Sequence, residues 1–273
     1  MSSPDATPRR LGVLGWPVAH SRSPVMQQAA LDACGLVGWT YQLLPVPPHL
    51  FAETVRALPG VGFVGGNVTV PHKHDALALA DSPTRAAAEI GAANTLIFEP
   101  DGTIAVDNSD APGLIAAIGA ELTGRTAMVL GAGGTARASA WALREAGAEV
   151  TVWNRTPERA AKLARDLEVS VATAPNAADL LVNTTTVGMD GNMSESEALT
   201  SLGLDSDLLS DCAHVVDFVY TASSTPLTNA ARKLGIPTVD GLAILVAQGA
   251  VSFERWTGLP APLDVMERAA RAV

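Results

Sequence analysis

The chain has 273 residues, of which 48% are hydrophobic and 17% are charged, so it can bury a substantial core in one large domain or two of ordinary size. Its formal net charge of −10 argues against a nucleic-acid-binding surface, although a local site can still be basic enough to bind an anion. The N-terminal segment lacks the apolar core of a signal peptide, and no apolar run is long enough to cross a membrane, so we expect a cytoplasmic enzyme or binding protein.

Strand and helix patterns alternate through the first hundred residues. Strands are predicted over 10–15, 39–46 and 64–70, and helices over 23–35 and 47–60, from Pro71 onward and after Pro83. Ser23 is the expected N-cap of the first helix, with Pro24 at its first helical position. A hairpin over 94–108, turned at Asp101-Gly102, closes this region.

From residue 111 onward the alternation is more regular. Strands are predicted at 126–130, 148–155, 169–173, 179–185 and 214–220, and helices at 111–122, 135–147, 240–258 and 261–273. The segment 190–211 carries six acids and no base, and we expect it to form a mobile or solvated loop and helix.

The alternation predicts an α/β fold with parallel sheets and helices on both faces. We expect two lobes. Residues 1–110 and 237–273 would form one α/β domain, to which the C-terminal helices return, and residues 111–236 would form a second α/β domain.

A glycine-rich turn over 131–136 lies between a predicted strand and a predicted helix and fits the pattern G-x-G-x-x-A. Gly131 allows the tight turn, Gly133 lets the backbone approach a pyrophosphate, and Ala136 allows close packing of helix on strand. Free N–H groups at the start of the helix then face the phosphates. The turn, which also contains Ala132, Gly134 and Thr135, predicts a dinucleotide site.

The tip of the next strand indicates which dinucleotide binds. An NAD site usually has an acid there, whereas this strand ends in Asn154-Arg155-Thr156. Thr156 is the expected N-cap of a helix whose first turn contains Arg159, and two guanidinium groups suit the 2′-phosphate of NADP. The alternative is that both arginines are ordinary solvated side chains.

Groups that could transfer a proton are few. No tyrosine is followed four residues later by lysine, which excludes a Tyr-x-x-x-Lys mechanism, and neither the histidines nor the two cysteines have a metal-ligand spacing. His72 and His74 are expected to be partly exposed. Lys73 and Asp110 could act as a general acid/base pair, but the residues alone favour Lys73 as an exposed charge at a helix start.

Seven motifs occur in the order seen in shikimate dehydrogenases: GWPVAHSRSP (15–24), GNVTVPHK (66–73), GAANTL (91–96), DNSD (107–110), GAGGTAR (131–137), NRTPERA (154–160) and DGLAILVAQG (240–249). The chain resembles that family over nearly its whole length. The resemblance implies reduction of 3-dehydroshikimate to shikimate with NADPH, the fourth step towards chorismate and the aromatic amino acids. It also implies a substrate lobe, a Rossmann-type cofactor lobe and a C-terminal return to the substrate lobe.

The resemblance also implies roles for individual residues. Lys73 corresponds to the catalytic lysine and Asp110 to its carboxylate partner. The implied substrate-binding residues are Ser21, Ser23, Asn67, Thr69, Asn94, Asp110, Tyr220 and Gln248. The implied cofactor-binding residues are Gly131, Ala132, Gly133, Gly134, Thr135, Ala136, Asn154, Arg155, Thr156, Arg159, Phe218 and Gly241. No metal is implied. Gln27 departs from the family pattern, which usually has histidine there.

Two other functions stay open at this stage. A related enzyme would use quinate as well as shikimate, or NAD instead of NADP, and side chains around one hydroxyl would decide this. A non-catalytic NADPH-binding regulator would bind cofactor without turnover. The expected partner is a small-molecule substrate, with neither nucleic acid nor membrane, and the protein is expected to be a monomer or a homodimer.

Overall fold

The computed structural model describes residues 8–189, 191–221 and 224–272. The chain divides into two compact units. The first unit comprises the residues up to Ser109 together with those from Leu245 onward, and the second unit comprises Asp110–Ile244. In the described ranges, no helix combines the length and the apolar character that a membrane crossing requires.

The N-terminal part of the first unit follows the predicted alternation closely. Its elements are β1 (Arg9–Gly15), α1 (Ser23–Ala33), β2 (Trp39–Pro45), α2 (Phe51–Ala57), β3 (Gly65–Val68), α3 (Lys73–Ala78), β4 (Ser82–Pro83), α4 (Arg85–Ile90), β5 (Thr95–Phe98) and β6 (Ile104–Asp107). Short 3-10 turns at Pro48–Leu50 and Leu58–Val61 flank α2.

The second unit alternates strands and helices in the same way. Its elements are α5 (Asp110–Ile118), β7 (Thr126–Leu130), α6 (Gly134–Glu145), β8 (Glu149–Trp153), α7 (Pro157–Leu167), β9 (Ser170–Val171), β10 (Leu180–Asn183), α8 (Glu195–Ser201), α9 (Ser206–Ser210), β11 (His214–Asp217), α10 (Pro226–Lys233) and β12 (Thr238–Val239). Two helices follow, α11 (Gly241–Thr257) and α12 (Leu263–Arg271), and the division between the units falls inside α11.

The sheet of the first unit has the strand order β2-β1-β3-β5-β6-β4 among the described residues. Its β1–β2, β1–β3 and β4–β6 pairs are parallel, whereas β5 is antiparallel to both of its neighbours. The parallel pairing that the alternation predicts therefore holds for part of this sheet, and the predicted hairpin makes the rest antiparallel. The reason is that the hairpin of β5 and β6 joins the sheet, and a two-strand hairpin is antiparallel by construction.

The sheet of the second unit has the order β12-β11-β10-β7-β8-β9, and its neighbouring strands pair in parallel. Both faces are covered, as predicted. Along β7, Val129 packs into one apolar cluster and its neighbours Met128 and Leu130 into another, because successive strand residues face opposite sides of a sheet.

Among the boundaries that differ from the predicted ones, three lie near the polar segments of the first unit. Ser23 is the first residue of α1 and Arg22 precedes it as N-cap, so the cap was misplaced by one position. The strand predicted over 64–70 ends at Val68, and the helix predicted from Pro71 begins at Lys73, because Thr69 to His72 form a turn closed by a bond from His72 N to Thr69 O. These differences are small along the chain, but they place Lys73 at a helix start.

The return of the chain to the first unit lies at Leu245, later than the predicted residue 237. Residues 238–239 stay with the second unit because β12 pairs with β11. Gly241 also packs closely there, since a Cβ at this position would lie 2.5 Å from Val219 O.

Candidate active site and cofactor-binding turn

One edge of the first-unit sheet collects the polar segments that the sequence singles out. Strands β1, β3 and β6 run in the same direction, because β5 is antiparallel to both β3 and β6. Their carboxyl ends therefore share an edge, where ligands commonly bind in α/β sheets. The residue before β5 reaches the same edge because β5 starts there.

Backbone hydrogen bonds tie these segments together. Trp16 N donates to Val70 O at 3.0 Å, which joins the loop after β1 to the turn after β3. Ala93 N donates to Lys73 O at 2.9 Å, and Asn94 N donates to Asp107 O at 3.1 Å. Four motifs that are far apart in the sequence thus meet at one edge.

Lys73 is buried, with only 9% of its surface exposed. It is the first residue of α3, as the proline before it suggested, but it is not an exposed charge at a helix start. Lysine is rarely buried in proteins unless its ammonium has a partner or a function. The burial favours the interpretation of Lys73 as a chemical group of the site.

His72 is fully buried beside Lys73, so the expectation that it is partly exposed is wrong. Its Nε2 lies 2.7 Å from Val46 O, and its ring stacks on Phe51 with 4.4 Å between the centroids. A carbonyl only accepts, so Nε2 carries the proton of this bond. His72 therefore anchors the turn before Lys73 to the end of β2. His74 is exposed, as expected.

Asn94 and Gln248 lie in one buried hydrogen-bond network with Ser109. Asn94 Nδ2 is 3.0 Å from Ser109 Oγ and 3.4 Å from Gln248 Oε1, and Ser109 Oγ is 3.2 Å from Gln248 Oε1. Asn94 Oδ1 accepts from Ser109 N at 2.7 Å. The structure thus brings together two predicted residues, Asn94 before β5 and Gln248 on α11, through Ser109, which was not predicted as a site residue.

Asn67, on β3, is buried and bonded internally at both ends of its carboxamide. Its Oδ1 accepts from the Tyr41 hydroxyl at 2.8 Å, and its Nδ2 donates to Asn94 O at 3.2 Å and Ser252 Oγ at 2.9 Å. These bonds use both amide hydrogens, so the remaining capacity of Asn67 is a lone pair on Oδ1.

The loop after β1 presents the two predicted serines. Ser23 is buried and Ser21 half-buried, and Ser23 N donates to Ser21 Oγ at 3.3 Å. Thr69, half-buried in the neighbouring turn, lies so close that a Cβ on Gly15 would be 2.4 Å from its Cγ2. Gly15 is therefore required for the close approach of the two segments.

In the second unit, the glycine-rich turn has the geometry that a dinucleotide site needs. Gly131 has a φ of +123°, and a Cβ there would lie 2.4 Å from Thr184 Oγ1. Gly133 immediately precedes α6, and open space surrounds the position where its Cβ would be. Ala136, in α6, is fully buried. The open side at Gly133, next to the free N–H groups of a twelve-residue helix, fits a pyrophosphate.

The tip of β8 lies beside this turn, since Gly131 N donates to Trp153 O at 2.8 Å. Asn154 Nδ2 donates to Thr156 O at 3.0 Å, and Thr156 is the N-cap of α7, as predicted. Arg155 and Arg159 are exposed. Their positions suit a phosphate that approaches from solvent, although exposure is also what the alternative of ordinary surface arginines predicts.

The end of β11 carries a buried acid that the sequence analysis did not single out. Asp217 is fully buried and accepts from Asn183 Nδ2 at 2.9 Å, Val219 N at 3.0 Å and Thr225 Oγ1 at 2.6 Å. Burial raises its pKa to about 6, against the opposing effect of these bonds. Through its bonds to Val219 N and Thr225 Oγ1, Asp217 fixes the start of the segment that carries Phe218 and Tyr220, which are both half-buried.

Comparison with known families decides what this arrangement is. Residues 13–96 match the model of the shikimate dehydrogenase substrate binding domain, residues 114–188 that of shikimate / quinate 5-dehydrogenase, and residues 241–271 that of the shikimate 5'-dehydrogenase C-terminal domain. A shikimate dehydrogenase (NADP(+)) of Methylobacterium radiotolerans is 46% identical over 269 residues, which cover 93% of this chain and 92% of the relative. The chain belongs to the shikimate dehydrogenase family.

Other members of the shikimate dehydrogenase family agree. The relative from Paracoccus denitrificans is 43% identical, with 93% of this chain and 92% of the relative covered. A crystal structure from Thermus thermophilus, in complex with NADP(H) and shikimate, is 39% identical, with a TM-score of 0.87 over 96% of this chain and 98% of that one. The shikimate dehydrogenase of Aquifex aeolicus has a TM-score of 0.89 at 34% identity, with 98% and 100% covered.

Within this family frame, sequence reasoning missed Ser252 and Asp217. Ser252 stands in an apolar helix pattern, which gives no signal for a polar role. Asp217 did carry a signal, since an acid at the end of an apolar strand is unusual and must find partners if it is buried. Asp110 is buried too, and it follows Ser109 directly as the first residue of α5.

Proposed function

We propose that this protein is an NADP-dependent shikimate dehydrogenase, which reduces 3-dehydroshikimate to shikimate on the way to chorismate and the aromatic amino acids. The observation that carries the proposal is the burial of Lys73 at the edge of the first-unit sheet. A backbone bond joins Lys73 to the segment of Asn94, which forms a buried amide and hydroxyl network with Ser109 and Gln248. A protein that only bound the cofactor would not need such a set.

Lys73 is assigned as the general acid/base. NADPH, when bound, supplies the hydride. As the carbonyl carbon of the substrate is reduced, the Lys73 ammonium donates a proton from Nζ to the carbonyl oxygen, on which negative charge develops. In the reverse direction neutral Lys73 accepts the hydroxyl proton. The assignment of Asp110 as its carboxylate partner stays a prediction, which rests on the family resemblance.

The substrate is a small acid with several hydroxyl groups, and neutral donors and acceptors suit it. Ser21 and Ser23 are assigned to its carboxylate, near which Tyr220 would lie. Thr69, Asn94, Asp110 and Gln248 are assigned to its hydroxyls, with Asn67 nearby. Buried polar groups of this kind discriminate strongly, because a substrate that lacks one hydroxyl leaves them unpaired. Both amide hydrogens of Asn67 are used in internal bonds, so Asn67 would contribute by accepting a hydrogen bond from a substrate hydroxyl at Oδ1.

The cofactor is assigned to the second unit. The backbone of 131–136 would hold the pyrophosphate, and Arg155 and Arg159, with Asn154 and Thr156, would hold the 2′-phosphate and its ribose. Phe218 and Gly241 are assigned to the nicotinamide end by the family resemblance. The relatives named for NADP(+) and the Thermus thermophilus complex with NADP(H) support this choice.

Replacement of the proposed acid/base tests the mechanism. We expect Lys73→Ala to lower kcat for shikimate oxidation by a factor of about 10² to 10⁴, the usual contribution of a general acid/base. Steady-state kinetics with NADP+ measures this, and calorimetric titration should give a Kd for NADP+ close to that of the wild type. Lys162→Ala is the matched control, because Lys162 is an exposed lysine paired with Asp166. Turnover of the Lys73→Ala protein equal to that of this control would contradict the assignment.

A second candidate is an enzyme that oxidises quinate as well as shikimate. The description of the model that matches residues 114–188, which names both acids, is the observation that favours it. Arg155 and the lack of an acid at the tip of β8 still favour NADP over NAD in either case. The cytoplasmic location and a monomeric or homodimeric state stay predictions.

A further inference from the structure

Ser252 is a fully buried hydroxyl on α11, one helical turn after Gln248. Its Oγ lies 2.9 Å from Asn67 Nδ2, 2.9 Å from Thr95 Oγ1 and 3.0 Å from Ser109 Oγ. These three partners come from β3, from β5 and from the segment after β6. One side chain of α11 therefore contacts the three segments that form the substrate edge of the first unit.

The donor and acceptor roles in this network run in a defined direction. Asn67 Nδ2 lies 3.2 Å from Asn94 O, a carbonyl that only accepts, so the amide nitrogen of Asn67 is the group that faces Ser252, and it can only donate to it. Ser252 accepts that bond and has a single hydrogen, which it can donate to Ser109 Oγ at 3.0 Å or, over a longer distance of 3.3 Å, to Gln248 O. Ser109 in turn can donate to Gln248 Oε1 at 3.2 Å.

The direction matters because a carboxamide turned by 180° exchanges a donor for an acceptor. Asn94 and Gln248 each present one oxygen and one nitrogen, and a substrate hydroxyl meets a different partner in each orientation. In the observed orientation Gln248 Nε2 donates to Leu245 O at 2.8 Å, while its Oε1 faces Ser109. Backbone groups hold both orientations, since Ser109 N also donates to Asn94 Oδ1 at 2.7 Å, and the Ser109 hydroxyl then links the two side chains.

We propose that Ser252 is a positioning residue for substrate recognition, which holds the Ser109 hydroxyl in place and, through it, the Gln248 and Asn94 carboxamides. The inference rests on the proposed function, because it assigns those two carboxamides to the substrate hydroxyls. Ser252 itself does not act on the substrate. Its hydroxyl keeps the site pre-organised, so its loss raises the cost of ordering the site when substrate binds.

Two substitutions separate hydrogen bonding from packing. Ser252→Ala removes the hydroxyl, and Ser252→Cys keeps the volume but bonds weakly. In both variants we expect KM for shikimate to rise about tenfold, the size of one lost buried hydrogen bond. The kcat value and KM for NADP+ should stay near the wild-type values, since Lys73 and the second unit are unchanged. Thermal unfolding shows whether each variant is folded.

A selectivity readout distinguishes positioning from a general loss of stability. Selectivity is the ratio of kcat/KM for shikimate to kcat/KM for an analogue that lacks the hydroxyl at C4 or at C5. In both variants we expect this ratio to fall about tenfold for at least one of the two analogues, because a displaced carboxamide no longer bonds to that hydroxyl. The control is Thr257→Val, which removes another hydroxyl of α11, one that donates to Phe253 O of the same helix. It should keep wild-type KM and selectivity.

The proposal is overturned if Ser252→Cys has wild-type KM and selectivity, or if Ser252→Ala lowers kcat with KM unchanged. It is supported if both variants lose affinity for shikimate and selectivity while Thr257→Val does not. A wild-type protein that fails to oxidise shikimate would instead refute the proposed function, so the two failures are distinguishable.

Discussion

The turn between β3 and α3 shows how single residues determine the chemistry of this site. Lys73 is buried, its carbonyl accepts from Ala93 N, and the ring of the preceding His72 is held by Val46 O and Phe51. A lysine on a flexible surface helix would move freely. Here partners from the end of β2 and from the segment before β5 fix the backbone at Lys73, so the point from which its side chain extends is fixed.

Asp217 predicts a pH dependence of stability at the same scale. Its pKa in the folded protein is about 6, raised by burial from 3.8. The folded state therefore holds this proton more tightly than the unfolded state does, and the stability that it gains is lost as the pH rises through about 6. A shift of about two pKa units corresponds to about 3 kcal/mol, so wild-type protein should lose up to about that much unfolding free energy from Asp217 between pH 4 and pH 7.

Urea unfolding of wild type and Asp217→Asn across this pH range measures the effect. The asparagine is neutral at every pH and can donate to Thr225 where the carboxylate accepts. We therefore expect the unfolding free energy of the variant, relative to wild type, to increase from pH 4 to pH 7. Asp211→Asn, at an exposed acid, should show no such trend. Parallel pH profiles for wild type and Asp217→Asn would contradict the role of the buried carboxyl.

At the scale of elements, the β7-to-α6 turn and the β8-to-α7 turn form the proposed cofactor site together. Gly131 is required because its φ is positive and because Thr184 leaves no room for a Cβ. Gly133 has an ordinary φ of −87° and open space around it, so the fold does not require glycine there, and the space is left for the group that the proposed site would bind. The two glycines of one motif therefore have different physical reasons.

Arg155 gives the prediction that belongs to this pair of turns. Arg155→Ala should raise Kd for NADP+ about tenfold or more, because a charge-assisted bond to the 2′-phosphate is lost. NAD+ has no 2′-phosphate, so its Kd should change little. Calorimetric or fluorescence titration with both cofactors measures this, and Arg165→Ala, an exposed arginine near the other end of α7, is the matched control. Equal weakening of NADP+ and NAD+ would contradict the assignment.

For the whole molecule, the sequence predicted most elements because their signals are local. The hairpin of β5 and β6 was correctly predicted from Asp101-Gly102, where Gly102 has a φ of +90°. The mixed pairing of the first sheet could not be predicted in this way, since it depends on which edge the hairpin joins. The prediction of a mobile or solvated loop and helix over 190–211 was only partly correct. Helices α8 and α9 form there, but their leucines, including Leu199 and Leu209, are buried in the core.

The residues of the candidate site also fall into those with a local signal in the sequence and those without one. The residues of the glycine turn and of the tip of β8 were identified from local patterns, because strand, turn and helix are consecutive there. The burial of Lys73 and the role of Ser252 were not accessible, because they depend on contacts between distant segments. Ser252 lies 185 positions from Asn67 and 143 from Ser109 along the chain. Only the family resemblance favoured a chemical role for Lys73 over an exposed charge, and that role stays a prediction.

The most direct test of the central claim is a rate assay on the purified protein with shikimate or quinate as substrate and NADP+ or NAD+ as cofactor. Formation of the reduced nicotinamide is followed by absorbance, and Lys73→Ala protein purified in parallel controls for host enzymes. We expect shikimate with NADP+ to give a kcat/KM at least about tenfold above each other combination, because a missing 2′-phosphate or a changed hydroxyl pattern leaves site groups unpaired. Binding of NADP+ without its reduction by shikimate would contradict the account.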